Sequence, residues 1–299
     1  MKFSHLEGIE SFALVGATGL VGQELLDLLC EHKIKFSKIK LLASQNSVGE
    51  RVDFAGEDLI IEELSANSFD GVEVAFFCVP NEVTEKFVPI AISKGCLVID
   101  DSSVFRQKSD VALIVPEVNG DILKDFSGKI ISIPNCTTTP LVMALKPLAE
   151  QYGIERVVVS TYQSVSGAGR KAFEELSNQT TAMLSGKEAE SSAFPHRIAF
   201  NCLPEIGHVT ERGNTSEEEK VVNETRKILD LPDLKISSTA VRVPTFIGHG
   251  LSVNVELQRD FSSIEEVREL WEGFPGVKVI DNAAHHIYPT NVECAGSDF

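Results

Sequence analysis

The chain has 299 residues, 43% of them apolar and 24% charged, with a formal net charge of -17. That length suffices for two packed cores, and the composition is ordinary for a globular protein. The acidic balance argues against nucleic acid or an anionic membrane surface as a partner, because both need clustered Lys and Arg; an anionic ligand must be met by a local group of cations.

The amino terminus, Met1 to Glu7, lacks the apolar stretch of a signal sequence, and no window approaches the roughly 18 apolar residues of a membrane helix. Six cysteines (Cys30, Cys78, Cys96, Cys136, Cys202, Cys294) lie far apart, with no CxxC pair and no metal-ligand spacing. The expectation is a cytoplasmic protein with reduced thiols and no bound metal.

From Phe12 to about Ile133, short apolar runs alternate with helical patterns, as in an α/β domain whose parallel sheet is covered on both faces. The pattern predicts strands over 12–15, 39–43, 72–78, 97–100 and 111–115, with helices over 20–30 and 82–93. The first strand runs into Gly16-Ala17-Thr18-Gly19-Leu20-Val21-Gly22, a GxxGxxG turn opening a helix. Glycines so placed let the backbone approach a pyrophosphate, whose charge the helix N-terminus stabilises; the bland alternative is a tight turn with no ligand. The second strand ends at Ala43-Ser44-Gln45-Asn46-Ser47, without the carboxylate that would hold a ribose 2′-hydroxyl, so NADP is favoured over NAD. Asp101 to Arg106 follows the carboxyl end of a predicted strand, where such sheets bind ligands, and Arg106 is a candidate anion contact.

The run 129–133 reads as a buried strand and Leu141 begins a helical pattern. Pro140 fits only in the first helical turn, which puts Cys136 close to the N-cap. There the helix amides and dipole favour thiolate over thiol, making Cys136 the candidate nucleophile; the alternative is a structural core cysteine. A boundary near Pro134 divides the chain into 1–134 and 135–299 and sets Cys136 between the two domains, where ligand clefts commonly form.

The second half looks mixed α+β: a helix to about Gln151, a strand over 156–161, a glycine-rich loop over 166–169, and a helix over 216–229 capped by Thr215 or Ser216. Strands near Val241 and over 251–257 suggest an antiparallel sheet. Glu217 and Lys220 share one face of the 216–229 helix, and their spacing favours a solvated ion pair over a ligand site. In Arg242 to His249, an arginine suited to a carboxylate accompanies a histidine that titrates in the range of proton transfer.

With these segments in order, the sequence resembles the aspartate-semialdehyde dehydrogenases across nearly its whole length. The resemblance rests on Gly16 to Gly22, Ile99-Asp100-Asp101-Ser102-Ser103 with Phe105-Arg106, Val115 to Asn119, Pro134 to Thr138, Thr161 to Arg170, Ile198 to Asn201, Glu224 to Ile228, and Arg242 to His249. It implies a Rossmann-like dinucleotide-binding domain with a catalytic and dimerisation domain. It also implies reversible, phosphate-dependent oxidation of aspartate 4-semialdehyde to 4-aspartyl phosphate with NADP, a step toward lysine, threonine, methionine and diaminopimelate, by a homodimer or homotetramer. By position it makes Cys136 the nucleophile, His249 the acid/base and Gln163 the group orienting the covalent intermediate. Arg242 would take the substrate carboxylate and Glu217 its amine, while Lys220, Arg106 and Asn135 hold inorganic phosphate or the phosphoryl group. The cofactor would meet Gly16, Thr18, Gly19, Leu20, Val21, Gly22, Asn46, Ser47, Ser166 and Gly167.

Four places depart from the family pattern. Asn46 stands where the family usually has an arginine, which leaves NAD as an alternative to NADP. Asp101 replaces an asparagine, and the usual small-residue loop reads Val79-Pro80-Asn81-Glu82. The chain stops at Ser297-Asp298-Phe299, where the family continues with a strand and a long helix. Competing readings are an N-acetyl-glutamyl-phosphate reductase, a noncatalytic paralogue on the same scaffold, and a cysteine hydrolase, which would have no use for the Gly16 to Gly22 turn.

Overall fold

The computed structural model describes residues 8–296, so the readings made at Met1 to Glu7 and at Ser297 to Phe299 lie outside the described residues. These residues form two compact units. The first takes in the chain up to Ile114 together with Ile122–Pro134; the second takes Val115–Asp121 and everything from Asn135 onward.

The first unit contains β1 (Ser11–Val15), α1 (Leu20–Glu31), β2 (Lys38–Ala43), β3 (Arg51–Phe54), β4 (Glu57–Glu63), β5 (Val74–Phe77), α2 (Asn81–Ser93), β6 (Leu97–Asp100), β7 (Ala112–Leu113) and β8 (Ile130–Ser132). Its eight-stranded sheet has the order β3-β4-β2-β1-β5-β6-β8-β7. Every pairing is parallel except β3 with β4. The run Phe-Ala-Leu-Val makes β1 apolar on both faces, as a strand covered twice requires. Phe12 and Leu14 pack on one side with Leu26 and Leu29 of α1, while Ala13 and Val15 pack on the other with Val88 and Ala91 of α2. The period of two in the strand thus sorts its side chains between two helical layers. Because β1 lies between β2 and β5, the chain leaves it in one direction and later resumes on its other side, and open sheets bind ligands at the carboxyl ends beside such a switch.

The β3–β4 hairpin has no counterpart among the sequence expectations. Its two-residue turn, Ala55-Gly56, takes positive φ at both positions (56° and 86°), the geometry that matches strand twist. Alanine in a position that normally selects Asn, Asp or Gly hides the turn from a sequence reading.

The second unit contains α3 (Pro116–Asn119), α4 (Thr138–Tyr152), β9 (Ile154–Gln163), α5 (Arg170–Leu184), α6 (Ser216–Leu229), β10 (Lys235–Arg242), β11 (Gly250–Leu257), α7 (Ile264–Glu272) and α8 (Asn291–Cys294). Its sheet has the order β10-β9-β11. The expected antiparallel sheet is corrected here: β11 is antiparallel to β9, but β10 is parallel to it. The long connection through α5 and α6 lets the chain re-enter alongside β9 in the same sense, which a tight hairpin cannot do. Leu141, Leu145 and Leu148 of α4, Val221 of α6 and Val267 of α7 form one core with Val157 and Val159 of β9.

Helix α6 starts as its sequence predicts. Thr215 Oγ1 accepts from the Glu218 amide at 3.3 Å and Glu218 Oε2 accepts from the Thr215 amide at 2.7 Å, a reciprocal cap. Among the described residues no helix is long and apolar enough to cross a membrane, and no group of three His, Cys, Asp or Glu side chains is placed to hold a metal.

Candidate active site

In the second unit, Cys136 precedes Thr137, the N-cap of α4, and is exposed. Pro140 falls in the first turn, as expected. No side-chain oxygen of Thr137 caps this helix; Asn135 organises the turn instead. Its Oδ1 accepts from the Thr137 amide at 2.9 Å and from the Thr137 hydroxyl at 2.7 Å, and its carbonyl accepts from the Thr139 amide at 3.1 Å. The residue beside the thiol is therefore held by its side chain and its backbone.

The same Asn135 amide group reaches across to α6, where Nδ2 donates to Glu217 Oε1 at 2.8 Å. Gln163 Nε2 donates to that oxygen at 3.2 Å, and Lys220 Nζ lies 3.3 Å from Oε2. Glu217 is only 5% exposed, so the pair with Lys220 is not the solvated one that the spacing favoured. Burial alone would resist ionisation of Glu217, but the Lys220 charge and the hydrogen bonds from Asn135, Gln163 and Lys220 outweigh it and hold the carboxyl below its ordinary range.

Gln163 and Arg242 are partners in the parallel register of β9 and β10, which places both side chains at the carboxyl ends of adjacent strands. Arg242 is buried; its Nη1 donates to the Ser164 carbonyl at 2.7 Å, while its Nε has no hydrogen-bond partner. Burial lowers its pKa, opposed by the charges of Glu217 and Cys136, which puts thiol and guanidinium in one electrostatic environment.

The loops after β9 and β10 are zipped together: the amides of Val165 and Ser166 donate to the carbonyls of Thr245 and Phe246 at 2.9 and 3.2 Å. This brings His249 Nδ1 to 3.1 Å from the Ser164 amide. A Cβ added at Gly167 would stand 3.2 Å from Arg242 Nη1 and 3.3 Å from His249 Nε2, so the exposed Gly167 leaves room beside both groups. Burial first, and Arg242 second, push the His249 pKa down, with Glu217 and the Gly248 carbonyl opposing. The imidazole is thus kept neutral near pH 7.

The second unit therefore brings Cys136, Asn135, Gln163, Glu217, Lys220, Arg242, His249, Ser166 and Gly167 into one continuous neighbourhood. The first unit holds the rest. Gly16 has φ of 99° and a Cβ there would strike the Cys78 carbonyl; one at Gly22 would strike the Gly16 carbonyl. Backbone thus packs on backbone through the turn, and Gly19, the N-cap of α1, supplies no side-chain cap to the first amides of the helix. Thr18, Gly19, Leu20 and Val21 lie on this turn, while the exposed Asn46 and the half-buried Ser47 lie on a short helical turn after β2. Arg106 is buried, donates to the Asp101 carbonyl at 2.7 Å, and stands 3.8 Å from Asp101 Oδ1.

Comparison with known proteins decides the family. A "Semialdehyde dehydrogenase, NAD binding domain" model matches residues 11–126 and a "Semialdehyde dehydrogenase, dimerisation domain" model matches residues 145–299. Aspartate-semialdehyde dehydrogenase of Rickettsia bellii (strain RML369-C) is 45% identical over 289 residues, 96% of this chain and 85% of the relative. The enzyme of that name from Bacillus subtilis (strain 168) is 40% identical over 293 residues, 96% of this chain and 84% of the relative. This chain belongs to the aspartate-semialdehyde dehydrogenase family. The crystal structure of aspartate semialdehyde dehydrogenase II from Vibrio cholerae complexed with ASA superposes with a TM-score of 0.91 at 38% identity, covering 96% of this chain and 85% of that one. Membership of the aspartate-semialdehyde dehydrogenase family makes the chain an NADP-dependent oxidoreductase of amino-acid biosynthesis, with a unit of the NAD-binding type and a unit of the dimerisation type.

Two polar residues of this aspartate-semialdehyde dehydrogenase family member have no place in the sequence reading of the site. Glu224 is 1% exposed and accepts the Asn135 amide at 2.6 Å, a second tie from α6 to the segment bearing the thiol. Its signal was present: Glu217, Val221, Glu224 and Ile228 fall on one buried stripe of α6, where a carboxylate needs a partner. Ser164, fully buried against His249, carried no such signal, because a serine in a glycine-rich loop reads as turn chemistry.

Proposed function

We propose that the chain interconverts 4-aspartyl phosphate and aspartate 4-semialdehyde with NADP and inorganic phosphate, as a cytoplasmic homodimer or homotetramer. Most of the residues assigned to the cofactor fall in 1–134 and the reacting thiol in 135–299, although Val115–Asp121 packs with the second unit. The carrying observation is the buried carboxylate of Glu217, shared by Asn135, Gln163 and Lys220 beside the exposed Cys136.

In the oxidative direction the Cys136 thiol gives its proton to His249 and the thiolate adds to the aldehyde carbon. When bound, NADP supplies the hydride acceptor. Hydride departure leaves a thioester on Cys136, and phosphate oxygen then attacks the acyl carbon, releasing aspartyl phosphate and returning the thiolate. Gln163, on the rim of β9, orients the acyl group. The guanidinium of Arg242, with a buried Nε lacking a partner, suits the substrate carboxylate, for which a planar fork gives two parallel hydrogen bonds. Glu217 suits the substrate ammonium. An N-acetylated amine carries no charge to offset that buried carboxylate, which counts against the acetyl-glutamyl-phosphate reading. Lys220, Arg106 and Asn135 are assigned to phosphate, whose approach to an anionic substrate needs cations in a strongly acidic chain.

The glycine-packed turn and the uncapped start of α1 fit a dinucleotide pyrophosphate, assigned to Gly16, Thr18, Gly19, Leu20, Val21 and Gly22. Asn46 and Ser47 are assigned to the ribose end, and Ser166 and Gly167 to the nicotinamide end. Neutral Asn46 and Ser47 offer hydrogen bonds without a fixed charge, so NADP is favoured while NAD is accepted. Purified protein given aspartate semialdehyde, phosphate and NADP should produce NADPH absorbance, and Cys136→Ser should abolish it; equal rates for both proteins would refute the nucleophile.

A further inference from the structure

The catalytic ring nitrogen of His249 is Nε2, beside Gly167 and Arg242, and its other nitrogen faces Ser164. The Ser164 amide donates to Nδ1 at 3.1 Å. Ser164 Oγ lies 3.2 Å from the same nitrogen and 2.9 Å from Ser166 Oγ. An amide can only donate, so acting alone it makes Nδ1 an acceptor and puts the neutral ring's proton on Nε2. A ring fixed in that tautomer offers the thiol no base. The hydroxyl is different because it rotates. With its hydrogen on Nδ1 it supports the same tautomer as the amide; with its hydrogen on Ser166 Oγ it accepts from a protonated Nδ1.

Ser164 is held for this role. It is fully buried, and its carbonyl accepts Arg242 Nη1 at 2.7 Å, so its backbone is anchored between the arginine and the imidazole. The charged groups acting on the ring come from other elements: Arg242 on β10 opposes the imidazolium and Glu217 on α6 favours it. The Gly248 carbonyl also favours it, with one of its two lone pairs accepting Asn291 Nδ2 at 2.6 Å.

We propose that Ser164 is a positioning residue, whose rotating hydroxyl lets His249 carry a proton on Nδ1 and so act at Nε2 as both base and acid. This rests on His249 being the acid/base and adds the group that makes both roles available. Nε2 takes the Cys136 proton while the Nδ1 proton stays on the ring, hydrogen-bonded to Ser164 Oγ, whose own proton points to Ser166. On the return Nε2 releases its proton and the ring is neutral again; no proton leaves Ser164.

The test is a pH titration of ¹⁵N-histidine-labelled full-length protein by NMR, with the His249 signals assigned by their loss in His249→Asn. In Ser164→Ala the neutral ring keeps its amide donor while the imidazolium loses an acceptor. The His249 midpoint should fall by roughly 0.5–1 pH unit, and the neutral ring should shift toward the Nε2–H tautomer. The turnover number should fall roughly tenfold or more with little change in KM for the aldehyde. Ser164→Thr, which keeps the hydroxyl, should restore both midpoint and rate. A midpoint in Ser164→Ala equal to or above the wild-type value overturns the proposal, as does a threonine variant that titrates like alanine. Activity retained in His249→Asn would instead remove the acid/base assignment, and the titration would still report whether Ser164 controls the ring.

Discussion

Asn135 Nδ2 donates to Glu217 Oε1 at 2.8 Å, joining side chains that stand 82 positions apart in the chain. One amide side chain thus orders the turn next to the thiol through Oδ1 and the Glu217 carboxylate through Nδ2. The turn beside Cys136 and the carboxylate proposed for the substrate amine are thus tied into one network, in which Gln163 and Lys220 also bond Glu217. In a low-dielectric setting such a network is strong when complete and costly when broken.

Asn135→Ala should therefore affect stability and activity together. It removes a donor to Glu217 and the acceptor for the amide and hydroxyl of Thr137, all buried. A loss of about 2–4 kcal/mol is expected from those orphaned groups. Urea unfolding should show a lower midpoint at unchanged slope, and the aldehyde turnover should fall by at least an order of magnitude at temperatures where the variant remains folded.

Gly16→Ala tests the first unit separately. The backbone there has φ of 99° and its Cβ would meet the carbonyl of Cys78, the residue just past β5, whose amide is tied to the Val15 carbonyl at 3.0 Å and which has little freedom to retreat. Strain and overpacking predict a destabilisation of about 2–4 kcal/mol. Added NADPH, which raises the melting temperature of a protein that binds it only when folded, should give a much smaller rise in this variant. A variant with the wild-type NADPH response would show that the turn does not hold the pyrophosphate.

How much of this was legible follows from which interactions are local. Strand β1 and its turn were readable because Phe12 to Val15 form an unbroken apolar run that ends in a glycine. Helix α6 was readable because Thr215 and Glu218 announce its start three residues apart. Helix α5 was not: Ser177, Asn178, Thr180 and Thr181 dilute its pattern, and two of those hydroxyls bond back to carbonyls one turn earlier, Thr180 Oγ1 to Leu176 at 2.7 Å and Thr181 Oγ1 to Ser177 at 3.0 Å. The sense of β10 against β9 is set by a connection through two helices, which no window of sequence contains. The spacing of Glu217 and Lys220 revealed their pairing but not their burial, since burial is decided by Asn135 and Gln163 arriving from elsewhere.

Stability should fall on the acid side in two windows. Burial and Arg242 depress the folded-state pKa of His249 below its ordinary value. The unfolded chain then binds a proton before the native one does, and stability present above about pH 6.5 is lost as pH falls from there through the folded value. Glu217 behaves in the same sense lower down: its folded pKa lies below the ordinary 4.5, so the stability its network supplies is kept above that pH and lost beneath it. Unfolding free energies measured by urea between pH 7.5 and 5 should decline less steeply in His249→Gln than in the wild type. Parallel curves would contradict the depressed pKa.

The cysteines provide the last test, because their environments differ in ways a thiol reagent can read. Cys136 and Cys202 are exposed. Cys78 is half-buried against the carbonyls of Val15 and Gly16, and burial, reinforced by the Asp101 charge, pushes its thiol up to about 12. Reactivity follows the thiolate fraction and access, so iodoacetamide at pH 7.5 should leave Cys78 unmodified in the native protein. Peptide mass spectrometry against time should find Cys136 labelled in step with loss of activity, since Arg242 and the start of α4 both favour its anion. Cys202 should also be alkylated, but Cys202→Ser should inactivate at the wild-type rate. Aspartate semialdehyde should slow labelling at Cys136 and leave Cys202 unaffected; inactivation that tracks Cys202 instead would move the nucleophile away from the turn before α4.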